Sequence, residues 1–174
     1  MKSAFVLVVL CMTTGCNSSK PADGATALQA YESSVREHVS EFLSEAADAR
    51  MMDMLEGEQA VKKGTTPQIK EYGRLMIKDH KALLIKIKAL AAERGITLPA
   101  RISDKKQDGL QTLIEKEGTA FDDKFIRMMI IDHERDVEAF KDAIKLKDKE
   151  VSKFASLNLP IIESHLAKAK AIQH

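Results

Sequence analysis

Of the five histidines in this 174-residue chain, three sit where chemistry is possible. His80, His133 and His165 each fall on the apolar stripe of a helical pattern, and the three patterns are separate. A fourth helical pattern carries Asp53 on its own stripe. Three imidazoles and a carboxylate turned into one interior form a donor set for a divalent transition metal such as zinc, copper(II) or iron(II). A structural reading competes with this one. The same four side chains can satisfy one another as a buried hydrogen-bond network, since leaving them unpaired costs several kcal/mol. His38, in a leading segment, and His174, the last residue, are expected to face solvent and do nothing.

Two of the three histidines close a duplicated stretch. Residues 74–80 read Arg-Leu-Met-Ile-Lys-Asp-His and residues 127–133 read Arg-Met-Met-Ile-Ile-Asp-His. Met76 and Met129 precede their histidines by one helical turn and share their face. As thioethers they would suit copper(I); as core residues they would fill irregular gaps. Asp79 and Asp132 stand about 100° round the helix from the histidines that follow them. From there they can orient an imidazole rather than bind an ion themselves.

Catalytic patterns are sparse. The chain has no Gly-rich phosphate loop and no nucleophile elbow. A ferritin-type di-iron oxidase needs Glu three residues before His on two helices. Those positions hold Ile77, Ile130 and Ile162. The pattern therefore disfavours such an enzyme and names no catalytic residue.

The elements that must carry these side chains are helices. Aromatic residues make up 5% with no Trp, against 8 Gly and 4 Pro, and Ala, Leu, Lys, Glu and Met dominate. The spacing predicts a first helix over 40–63, with Phe42, Ala46, Ala49, Asp53, Gly57 and Ala60 inward and Gly64 as its C-terminal cap. Leu28, Tyr31, Val35 and Val39 continue the same period upstream, as a leader or an extension. Thr66 and Pro67 start a second helix, 67–94, stopped by Gly95. A connector with Pro99 and a short helix over 104–117, closed by Gly118, leads to a third long helix over 119–146. Asp148 caps a fourth, which runs to 172 with a kink expected at Pro160.

Heights along these helices agree. His80 is 13 residues past Pro67, and His133 is 14 past Thr119. The two share a level if their helices run parallel, as the long connection between them allows. Asp53 lies 10 residues before Lys63, a mismatch with His80 of about 4.5 Å at the helical rise. The expected fold is all-α: a ferritin-like four-helix bundle with one long crossover between its second and third helices.

The N-terminus reads as an export signal. Lys2 precedes a nine-residue apolar run, Ala4 to Met12, too short to span a bilayer. Gly15-Cys16 followed by Asn-Ser-Ser resembles a bacterial lipoprotein cleavage site, with Thr13 where such sites usually carry Leu. The expected organisation is a lipoprotein signal at 1–15, a lipid-anchored tether and leader at 16–39 and the helical domain at 40–174. Cys16 would carry the lipid and Cys11 would leave with the signal, so the mature domain would hold no free thiol or disulfide. Lys and Arg number 27 against 26 Asp and Glu. Loss of Lys2 with the signal balances them, so there is no electrostatic case for nucleic acid. The expected partner is the membrane, reached through the anchor.

One family resemblance rests on many spaced positions. Phe42, Ala46-Ala47, Asp53, Gly57 and Ala60, then Met76-x-x-Asp79-His80, Gly118-x-x-Phe121-Asp122, Met129-x-x-Asp132-His133, and Phe154-Ala155 with Leu159-Pro160 and His165-Leu166 together resemble the domain of unknown function 4142 family. The resemblance covers roughly residues 40–172. It implies a ferritin-like four-helix protein of the bacterial envelope, often described as an outer-membrane protein. It also implies that the characteristic polar residues fall on His80, His133 and His165, and that Asp53 stands where the family usually has Glu. It leaves open a metal-binding protein or a structural or stress-related envelope module.

Overall fold

The computed structural model describes residues 24–173. The expected signal at 1–15, the lipidation site Cys16 and His174 lie outside the described residues. Among the described residues all regular structure is helical: α1 Gly24–Lys63, α2 Pro67–Glu93, α3 Asp104–Ile114, α4 Gly118–Ile144 and α5 Lys149–Gln173. None of these helices is long and apolar enough to cross a membrane.

Local chemistry sets the boundaries. The Thr66 hydroxyl accepts from the Ile69 amide at 3.2 Å and Pro67 opens α2. At the other end Gly95 takes φ +61°, so the Ile96 amide donates back to Ala91 O at 2.9 Å and the Gly95 amide to Ala92 O at 3.1 Å. This pair of bonds closes a Schellman end. Asp148 Oδ1 accepts from the amides of Glu150 and Val151, as an N-cap should. Gly64 differs from expectation, since its φ is not in the left-handed region. A methyl there would lie 2.6 Å from Ile69 Cγ2, so this glycine makes room for the turn. Gly118 does take positive φ, 57°, but it opens α4 and does not close α3. The leader is continuous with the first helix, making α1 40 residues long against 27 for α2. It begins at Gly24, inside the stretch expected to be tether. Helix α5 runs unbroken through Pro160.

Contacts along the helices fix their directions. Thr65 meets Asp122, Arg50 meets Asp136 and Phe42 meets Phe140, so α1 and α4 are antiparallel. Arg94 meets Asp148, Lys86 meets Asn158 and Asp79 meets His165, so α2 and α5 are antiparallel. The short 64–66 turn makes α1 and α2 antiparallel, and α2 and α4 therefore run the same way. The segment 95–117, with α3 in it, covers the length between them along α1 and α4. The Arg94 guanidinium holds Asp148 through two bonds of 2.7 Å at one end. Thr65 donates to Asp122 at 3.1 Å at the other.

The core between the four long helices comes in two parts. One gathers Phe42, Leu43, Leu83, Ile87, Phe140 and Ile162. The other gathers Ile69, Tyr72, Met76, Phe121, Phe125 and Met129. Between them lie buried Arg50, Asp53, Glu56, His80, His133, Asp136 and His165.

A close backbone approach flanks this layer. A Cβ on Gly57 would sit 2.7 Å from Gly73 O, and one on Gly73 would sit 2.7 Å from Gly57 O. Gly57→Ala is expected to destabilise by roughly 1–3 kcal/mol through overpacking against backbone. Gly109→Ala in α3 is the contrast, since its methyl would meet only Met52 and Met128 methyl carbons at 3.7 and 3.9 Å. It is expected to gain up to about 1 kcal/mol of helix propensity. Urea melts of the two variants should move in opposite directions; a Gly57→Ala protein as stable as the parent would break the packing account.

Candidate metal centre

Three helices each deliver one histidine to the middle layer. His80 comes from α2, His133 from α4 and His165 from α5, and all three are buried. Their ring centroids are 5.0 to 5.5 Å apart. One nitrogen of each lies within 4.8 Å of the others.

The remaining nitrogens show which atoms face inward. His133 Nδ1–H donates to Met129 O, one turn back, at 2.9 Å, which leaves Nε2 as the lone-pair nitrogen. His165 Nε2–H donates to Asp79 Oδ2 at 3.0 Å, which leaves Nδ1. His80 Nδ1 lies 3.6 Å from Asp53 Oδ2, a contact too long for a hydrogen bond. His133 Nε2, His165 Nδ1 and both nitrogens of His80 have no hydrogen-bond partner. Burial pushes His80 well below the usual imidazole range, with Arg50 and the other two histidines adding to the effect. Burial also lowers His165, against the pull of Asp79. The neutral forms of these two keep lone pairs available to a cation.

A charged group stands behind the triad. Arg50 is fully buried, donates from Nε to Asp53 Oδ2 at 3.1 Å and pairs with Asp136. Burial works against its charge, but Asp136 and Asp53 more than offset this and hold the guanidinium protonated. Asp53 thus stands between Arg50 and His80. A cleft of about 410 Å³ between α1, α3 and α4 reaches Asp53 and Asp136 from a mouth lined by Asp132, Arg135 and Lys106. None of the three histidines lines it.

The expected site residues distribute as follows. His80, His133 and His165 converge. Asp53 lies against His80 from the side of Arg50. Asp79 holds His165 from across the helix pair, not the His80 beside it. Asp132 lies at the cleft, 3.1 Å from Arg135, and burial raises its pKa. Met76 and Met129 are buried in the Tyr72–Phe125 half of the core. His38 is exposed.

Arg50, Glu56 and Asp136 were not expected in the site. A charged residue on an amphipathic helix is ordinarily placed in water, and that rule fails for all three. The available signal was spacing. Arg50, Asp53 and Glu56 succeed one another by three residues, as do His133 and Asp136, and such neighbours share a face.

Together these features define an all-helical domain with a buried three-histidine cluster. The sequence profile of a domain of unknown function, DUF4142, matches residues 24–172, and the chain belongs to that family. No functionally curated protein matches it. A crystal structure of a DUF305 fragment from Deinococcus radiodurans is similar in fold, with a TM-score of 0.70. The match covers 78% of this chain and 95% of that one at 10% identity.

Glu56 is the group whose burial is least compensated. It is fully buried, and neither carboxylate oxygen has a partner. Burial, then Asp53 and Asp132, raise its pKa well above the ordinary value. The folded state therefore keeps a proton that the unfolded chain gives up above about pH 4.5. Stability is lost as pH rises through that window. Glu56→Gln removes this loss, and the metal-free variant is expected to melt higher than the parent at pH 7 and no higher at pH 4. Melting curves at the two pH values check this; an equal or lower melting temperature at pH 7 refutes it.

Proposed function

We propose that this chain is a lipid-anchored bacterial envelope protein that binds one divalent transition metal among its helices. His80 and the inward nitrogens His133 Nε2 and His165 Nδ1 are the ligands, and zinc, iron(II) or copper(II) is the ion. The four long helices act as a bundle of the ferritin-like kind, with 95–117 as the single crossover. The observation that carries the reading is the set of partnerless imidazole nitrogens facing one another. In a closed hydrogen-bond network the imidazoles would pair among themselves, and none of their nitrogens does. Met129 O and Asp79 take up the outer N–H groups of two ligands, the arrangement that fixes imidazole orientation and strengthens its basicity in metal sites. Asp53, braced by Arg50, lies 3.6 Å from His80 Nδ1 and makes no such bond to it.

Full-length protein purified without an affinity tag is expected to carry about one metal equivalent. Metal added at a hundred times its dissociation constant should stabilise the stripped protein by about 2.7 kcal/mol. His133→Ala and His165→Ala should each abolish the thermal shift. Stoichiometric metal absent from the purified protein, with no shift on adding zinc or copper, defeats the reading.

The anchor rests on separate sequence features: Lys2, the apolar run to Met12 and Gly15-Cys16. It would hold the domain at the periplasmic side of the envelope, on the outer membrane. Cells fed radiolabelled palmitate should label the wild-type chain and not Cys16→Ala. Label that persists in Cys16→Ala rules out lipidation at this residue.

A further inference from the structure

Neutral imidazoles leave a divalent ion with its charge uncompensated in a buried layer, and that is expensive. The layer holds a matching charge. Arg50 with Asp53 and Asp136 leaves one negative charge, and an ionised Glu56 supplies a second. Asp79 lies at the margin, partly exposed to water through a side chain 27% accessible.

As the side chains stand, the Glu56 carboxylate is outside the 4.8 Å cluster of the three imidazoles, so it would close on the ion by a change of rotamer. Gly57 meets Gly73 across the α1–α2 contact, and Arg50 meets Asp136 across α1–α4. This register puts Glu56 one turn along α1 from the level of the histidines. Side chains on a helix lean towards its N-terminus, which here is towards that level. Around the carboxylate stand Asp53 on its own helix, Tyr72 on α2, Asp132 on α4 and Lys106 on α3. None hydrogen-bonds to it, and the amine of Lys106 lies 3.7 Å from Asp48. A wholly buried carboxylate without a donor thus shares an interior with imidazole nitrogens that also lack one.

Resting on the metal reading above, the geometry points to Glu56 as the fourth ligand, completing a three-histidine, one-carboxylate centre for a divalent cation. Such a set suits zinc, iron(II) or manganese(II) and disfavours copper(I), which prefers softer donors and a lower ligand charge.

The test uses stripped full-length protein in detergent, with zinc(II) followed by calorimetry and cobalt(II) by its visible absorption. Glu56→Gln is expected to bind zinc at least roughly tenfold more weakly, and to change the cobalt(II) spectrum. Its metal-free melting temperature should rise at pH 7 while its metal-induced shift shrinks. A purely structural role would not move these two readouts in opposite directions. Glu56→Asp, which keeps the charge on a shorter arm, should fall between parent and Glu56→Gln in affinity. Parental affinity and an unaltered cobalt(II) spectrum in Glu56→Gln would overturn the assignment while leaving the triad standing. Failure of the parent protein to bind zinc or cobalt would overturn both readings together.

Discussion

A polar layer buried across the middle of an apolar interior is the constraint on which the rest of this structure depends. Desolvation there is severe, and a charge survives only beside an opposite one. Arg50 meets that condition through Asp53 and Asp136. His80 and His165 meet it by staying neutral, and His133 and His165 fix their outer N–H groups on Met129 O and Asp79. The apolar groups on either side do the ordinary work of folding, with Phe42, Leu83 and Phe140 above and Tyr72, Phe121 and Phe125 below. Breaking a buried ion pair by removing one partner commonly costs about 3–5 kcal/mol. Retaining so many charged groups in a core is therefore a burden on stability that calls for a use.

Placing those groups at one height requires helices that cannot slide. The two ends are pinned by Arg94 on Asp148 and by Thr65 on Asp122. The Gly57–Gly73 contact sets the α1–α2 register within one turn of the layer. Little of this demands a particular sequence. The DUF305 fragment reaches a TM-score of 0.70 at 10% identity, so packing of this kind is available to very different chains. The fold therefore does not fix the chemistry, and function is argued from the side chains of the layer.

Much of the fold was legible before any coordinates. Thr66-Pro67, Gly95 and Asp148 mark helix ends through capping chemistry that is local in sequence. The two Asp-His pairs gave the shared height, because helical rise converts residue counts into distance. Gly64 and Gly118 showed that a glycine marks a boundary without saying which side of it the helix lies on or why. Partnership across helices was not legible. Asp79 holds the histidine of α5 and not its own neighbour, since adjacent residues diverge by about 100° while facing helices bring distant ones together. Arg50, Glu56 and Asp136 were missed because amphipathic patterning assigns charges to water, and only tertiary pairing reverses that assignment.

The choice of arginine at position 50 separates two kinds of charge in the layer. A guanidinium stays protonated under any physiological condition and presents its donors in a fixed fork. Asp53 and Asp136 thereby keep an opposite charge beside them whether or not a cation is near. Glu56 has no such partner, and burial holds a proton on it. A lysine at position 50 would blur that division. Its amine shifts its proton affinity readily when buried, and it could give up its own charge when a divalent ion arrived. A permanent cation fixes two carboxylates and leaves Glu56 as the wholly buried acid with no partner of its own.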